Sequence, residues 1–159
     1  MCESHLYIGI DPGKNGGVAL LGKEKDYYRP LVFRCPDTEK MHKVLIENIV
    51  EFCIDYKYID IIIEKVWAFP TDARSSAFKF GFNYGVWIGI INSIQIPKIE
   101  VVPRKWMSYY NMPPKLDKNK RKKWLKDLAE KLYPNIKITY NTSDAILIAN
   151  YLKEIKEKN

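Results

Sequence analysis

Histidine and cysteine are scarce in this 159-residue chain, with two of the first and three of the second. Cys2, Cys35 and Cys53 are odd in number and have no C-x-x-C spacing, which argues against a disulfide framework or a zinc knuckle. Cys35 and Cys53 fit as small core residues, and His5 and His42 have no metal-binding spacing. No apolar run approaches the roughly 18 to 20 residues of a membrane span. The opening Met-Cys-Glu-Ser-His has neither a basic region nor a long apolar one, so no secretory signal is expected. There is no internal repeat, low-complexity tract or linker. One soluble intracellular domain over residues 1–159 is the expectation. Acids are the minority charge: 19 Asp and Glu face 26 Lys and Arg, for a net charge of +7. That excess bears on partners and makes nucleic acid the leading class.

Apolar residues make up 47 % of the chain, enough for a core, and their spacing outlines its elements. Leu6 to Ile10 is an apolar strand that ends in Asp11. Pro12 and Gly13 turn the chain, and Gly16 and Gly17 lead into a second run, Val18 to Leu21. Tyr27 to Cys35 is a third strand, with Pro30 confining its pairing. The three form an antiparallel meander. The Pro-Asp-Thr-Glu run at 36–39 starts a helix from Met41 to Tyr56, with apolar positions three and four apart. Ile59 to Ile63 is a buried strand, parallel to the first, that ends in Glu64. Ala77 to Ile94 is a long helix with Gly81, Gly85 and Gly89 on one face, a spacing that permits close backbone approach. Ile99 to Val102 is a fifth strand, followed by a short helix from Pro103 through Trp106.

The densest charge cluster runs from Lys115 to Lys126, on a helix starting near Asp117 or Asn119 and ending at Tyr133. Clustered cations of this kind suit phosphate-backbone contacts. A last helix, from Asp144 to Glu154, has Asp144 in its first turn, where the helix dipole favours an acid. Asn141 lies three residues earlier, close enough to share a ligand with Asp144. On spacing alone, Trp67 fits the core better than a base-stacking role.

Asp11 and Glu64 end two strands that can be neighbours, and Asp144 opens a helix that can pack over the same edge. Oxygen-only ligands suit Mg²⁺ or Mn²⁺. Two such ions can activate water and stabilise a leaving 3′ oxygen in phosphodiester hydrolysis. The expected fold is α/β and ribonuclease-H-like, a five-stranded mixed sheet flanked by helices. The glycines after Asp11 are expected to leave the strand end open to a DNA phosphate.

Five segments carry a family resemblance: residues 8–20 around Asp11, Ile63-Glu-Lys-Val66, Ser75-Ser-Ala-Phe-Lys-Phe-Gly-Phe-Asn-Tyr-Gly85, Val102-Pro-Arg-Lys-Trp106 and Ser143-Asp-Ala-Ile-Leu-Ile-Ala149. In that order they resemble the RuvC-type Holliday-junction resolvases, most of all the phage-type branch. The resemblance implies a homodimeric endonuclease, dependent on Mg²⁺ or Mn²⁺, that nicks opposed strands of a four-way DNA junction in a bacterial or phage-infected cell. It implies metal ligation by Asp11, Glu64 and Asp144, with Asn141 as the fourth position. It moves Trp67 from the core to the opened junction centre, and makes Lys120 the lysine at the scissile phosphate, with Lys118 as runner-up. DNA contacts are expected from Arg74, Lys79, Lys118, Lys120, Arg121, Lys122 and Lys123. The dimer face is expected on the Gly81/Gly85/Gly89 helix with Phe78, Phe82 and Trp87. The family carries Asp or His where this chain has Asn141. Either the amide still offers a carbonyl oxygen, or the chain binds junctions without cutting them. A broader branch or flap nuclease is the other alternative.

Overall fold

The computed structural model describes residues 4–25, 27–44, 47, 49 and 51–158. Five strands form one mixed sheet in the order β3-β2-β1-β4-β5: β1 (His5–Asp11), β2 (Gly17–Glu24), β3 (Tyr27–Arg34), β4 (Tyr58–Glu64) and β5 (Lys98–Val101). The first three are antiparallel, and β4 and β5 run parallel to β1. This is the sheet expected from the sequence. Pro30 lies on β3, at the edge, where a missing backbone N–H costs no ladder bond.

Alternating side chains on the central strands feed two cores. Leu6, Ile8 and Ile10 pack with Ile61, Ile63 and the long helix α3 (Arg74–Ser93), whereas Tyr7 and Ile62 face the later helices. Among the described residues, the segment after β3 holds a 3₁₀ turn at Thr38–Lys40 and two short α-helical pieces, α1 (Met41–Val44) and α2 (Glu51–Cys53). The expected Met41–Tyr56 helix thus ends at Cys53, where the Tyr56 amide bonds to the Cys53 carbonyl in a turn. Positions 45, 46, 48 and 50 of that helix lie outside the described residues. Helix α3 (Arg74–Ser93) starts three residues earlier than expected, and its buried positions are Asn83, Trp87 and Ile91. Helices α4 (Pro103–Tyr109), α5 (Lys118–Leu132) and α6 (Ser143–Glu157) complete the chain. Asp117 caps α5 by accepting from the amides of Asn119 and Lys120 at 3.0 and 2.9 Å.

Helix α6 lies across β1, β2 and β4. Gly9 makes this possible: a Cβ there would sit 2.4 Å from the Ala145 carbonyl oxygen and 2.5 Å from the Ala149 nitrogen. Only a residue without a side chain lets the helix settle onto β1, and the first turn of α6 then arrives at the strand ends. No helix among the described residues is long and apolar enough to cross a membrane.

Candidate metal-dependent nuclease site

The parallel register pairs Ile10 with Ile63, so Asp11 and Glu64 are the next residues of adjacent strands at one end of the sheet. Asp144 reaches the same end from the first turn of α6. The three acids named from the sequence therefore converge. Burial is the largest influence on each and raises all three pKa values. Asp11 is pushed well above the usual carboxylate range, by burial first and then by the charges of Glu64 and Asp144. Burial and Asp144 raise Glu64 to about 7, although the Trp106 indole and Arg121 oppose the shift. Burial raises Asp144 against the Ser143 hydroxyl, Lys122 and Arg121. Desolvated like charges of this kind are costly unless a cation joins them.

Glu64 and Asp144 are held from behind. Trp106 Nε1 donates to Glu64 Oε2 at 2.7 Å, and Ser143 Oγ donates to Asp144 Oδ1 at 3.2 Å. The loop after Asp11 is pinned twice. Gly13 N donates to the buried Asn83 side-chain oxygen at 2.9 Å, and Asn141 Nδ2 donates to the Asn15 carbonyl at 2.8 Å. An aspartate at 141 could not make that second bond, because a carbonyl accepts only from a donor. The amide therefore has a local role here, and its Oδ1 remains for a ligand. Gly17 corrects the expectation of an open strand end, since a Cβ there would meet the Asn141 carbonyl oxygen at 2.4 Å. This glycine lets the α6 approach close tightly on the hairpin.

No three Asp, Glu, His or Cys side chains among the described residues form a metal cage unaided. The carboxylates lie within electrostatic reach of one another without forming a shared ligand shell, and one Glu64 oxygen is engaged by Trp106. Even so, the donors fit a hard dication: they are all oxygen, they repel one another, and the second Glu64 oxygen has no hydrogen-bond partner among the described residues. Trp106 is fully buried and has no role in the sequence reading beyond its motif. Its signal was an indole donor in a buried segment near an acid-ended strand. Trp106→Phe should keep the fold and move the Glu64 titration to higher pH, because the hydrogen bond that favours its charged form is lost. NMR titration of the Glu64 side-chain carboxyl would show the shift.

The cations facing the acids are Arg121 and Lys122. Lys120, expected at the scissile phosphate, lies 3.4 Å from Asp117 with a largely exposed side chain. Lys122 is the lysine whose charge acts on Asp11 and Asp144. Lys118, Lys123, Arg74 and Lys79 are exposed on α5 and α3, and Lys123 pairs with Asp127 at 2.6 Å. Trp67 is 44 % exposed and meets the exposed Phe69 edge-on, so it is not a core residue. Phe69 was missed by the sequence reading.

No family model matches the chain, and no curated protein does. Solved structures do. The fold is similar to that of Thermus thermophilus RuvC in complex with a Holliday junction substrate, with a TM-score of 0.64, 13 % identity, and coverage of 99 % of this chain and 96 % of that one. A second Thermus thermophilus RuvC structure matches with a TM-score of 0.58, 12 % identity, and 96 % coverage of each chain. At these identities the likeness is one of fold: a RuvC-like, ribonuclease-H-like α/β architecture.

Proposed function

We propose that this chain is a divalent-metal-dependent endonuclease of branched DNA that resolves four-way junctions by paired nicks, working as a homodimer with one nuclease domain per chain. The observation that carries the reading is the convergence of Asp11, Glu64 and Asp144 at one sheet end, faced by Arg121 and Lys122. The fold shared with a RuvC bound to a Holliday junction supports that substrate. Mg²⁺ or Mn²⁺ held by the three acids, with Asn141 Oδ1 as a further oxygen, would supply an activated water and stabilise the leaving 3′ oxygen. The chain's own groups do the rest. Trp106 holds Glu64 in place, and Lys122 and Arg121 bind the anionic phosphate oxygens. The outward lysines of α5 follow the backbone in a salt-sensitive way. Trp67 stacks on bases at the opened junction.

A synthetic four-way junction, a replication fork and a plain duplex are the test substrates. Paired nicks in the junction with Mg²⁺ or Mn²⁺, and none with EDTA, are expected. Equal cutting of the duplex contradicts the reading, and equal cutting of the fork selects a broader branch nuclease. Lys122→Ala should lower the single-turnover rate by about a hundredfold. Lys120→Ala should mainly weaken binding as salt rises.

Asn141 favours a second reading, junction binding without cutting, because its amide is tied to Asn15 and a neutral ligand holds a hard cation less well. Tight junction binding with no nicks in Mn²⁺ would select it.

The dimer surface proposed is the outer face of α3. Gly81, Gly85 and Gly89 have nothing within 4 Å of where a Cβ would be, and Phe78 and Phe82 stack beside them at 74 % and 56 % exposure. Trp87 does not belong to this face, because it is fully buried against the sheet. The buried stripe Asn83, Trp87 and Ile91 is offset by two residues from the glycines. At 3.6 residues per turn that is about 200°, the opposite side of the helix.

A further inference from the structure

Asn83 is the polar member of the buried stripe of α3, one turn before Trp87 and two before Ile91. Those two side chains pack into the core with β1 and β4, which fixes where Asn83 sits. A buried amide is costly unless its polar ends are paired, and here both ends are. The oxygen accepts from the Gly13 amide at 2.9 Å, and the nitrogen donates to Thr38 Oγ1 at 3.0 Å. A backbone N–H can only donate, so Gly13 dictates which end of the Asn83 amide faces the loop. Gly13 has a φ of +107°, and a Cβ there would lie 2.7 Å from Phe80 Cε2, so the Phe80 ring rests against the same residue. A hydrogen bond kept from water in this way is electrostatically stronger than one in solvent.

The Gly13 amide is the first backbone donor after Asp11, because Pro12 has none. It stands two residues past an aspartate. At that spacing an aspartate side chain commonly accepts from the backbone and closes a turn on itself. Asp11 does not: among the described residues its carboxylate accepts no hydrogen bond, and the amide goes to Asn83 instead. An Asp11 closed on its own turn would have one oxygen engaged and would face the loop.

We propose that Asn83 is a positioning residue for Asp11: by taking the Gly13 amide it stops the aspartate from capping its own turn and keeps both carboxylate oxygens free for divalent metal. The proposal rests on the nuclease reading and adds to it a residue outside the acid cluster. Helix α3 thereby carries the hold on the Asp11 loop on one side and the proposed dimer face on the other.

The test is Mn²⁺ binding to the metal-free full chain without DNA, read from the loss of the free-ion electron paramagnetic resonance signal. Asn83→Leu keeps the size of the side chain and removes the acceptor. Its Mn²⁺ affinity should fall by about tenfold or more, the usual cost of losing a partner behind a metal ligand. Asn83→Asp still accepts from Gly13 and should bind Mn²⁺ at least as well as the unaltered chain. Thr38→Val removes the other bond of Asn83, leaves the Gly13 bond in place, and should not change Mn²⁺ affinity. Unchanged affinity in Asn83→Leu, or weakened binding in Asn83→Asp, would overturn the inference and leave the nuclease reading standing. An equal loss in Asn83→Leu and Thr38→Val would also overturn it, because Asn83 would then act only by holding α3 to the segment at Thr38. An unaltered chain that binds no Mn²⁺ would remove both the inference and the reading beneath it.

Discussion

Asp11→Asn is expected to lower metal-dependent nicking by about a thousandfold, the scale of losing a group that acts on charge in the transition state. The same substitution should stabilise the metal-free protein. Asp11 lies in a desolvated cluster and is opposed by Glu64 and Asp144, so a neutral isostere removes repulsion that only a cation otherwise relieves. A gain of about 1–2 kcal/mol is the usual size for neutralising a strained functional site. For a chain of this length that amounts to several degrees of Tm. The pH dependence has a defined sign. Glu64 titrates at about 7 in the fold against an ordinary 4.5, so its contribution to stability is fully present below about 4.5 and is lost as pH rises through about 7. Metal-free protein should therefore melt at lower temperature at pH 8 than at pH 5, and Mg²⁺ should recover stability at pH 8. Differential scanning fluorimetry at the two pH values, with and without Mg²⁺, reads both effects. An unchanged or lowered Tm in Asp11→Asn contradicts the repulsive cluster.

Gly85→Leu is expected to turn the proposed dimer into a monomer while leaving the protomer at least as stable. Nothing lies within 4 Å of the position a Cβ would take, so leucine meets no clash within one chain. Within a helix, leucine is favoured over glycine by about 1 kcal/mol. A destabilised protomer is thus not an available explanation for dimer loss. In a face-to-face packing of α3 with a second copy, the added side chain would separate helices whose close approach depends on the absence of a Cβ. Sedimentation should show half the mass, and the nicks in opposed junction strands should become uncoupled, with singly nicked junctions accumulating. Phe78→Asp, on a residue 74 % exposed in the protomer, should act the same way. A full dimer in both variants removes α3 as the interface.

The strands were legible because Asp11 and Glu64 each end a nearly unbroken apolar run, which marks a buried strand and its exit together. The close seating of α6 on β1 was not legible. It depends on Gly9 facing Ala145 and Ala149, a contact between residues more than a hundred positions apart in the chain. The side of α5 that faces the acids was readable in part. Leu125 and Ala129 are the buried positions of α5, and residues three and four before Leu125 share its face. Those are Lys122 and Arg121, whereas Lys120 falls off that face toward Asp117. The α3 glycines had the right period, but their phase relative to Trp87 needed the buried stripe to be recognised first. Trp106 and Phe69 carry no charge, so only their distances to Glu64 and Trp67 bring them into the site.

The proposed chemistry requires divalent metal shared by three carboxylates. Crystals grown with Mn²⁺ and a four-way junction, recorded at the manganese absorption edge, test this directly. One or two anomalous peaks bounded by Asp11, Glu64 and Asp144 are the predicted result. A fully occupied junction complex with no manganese among those three residues, or with manganese bound elsewhere on the chain, would contradict it.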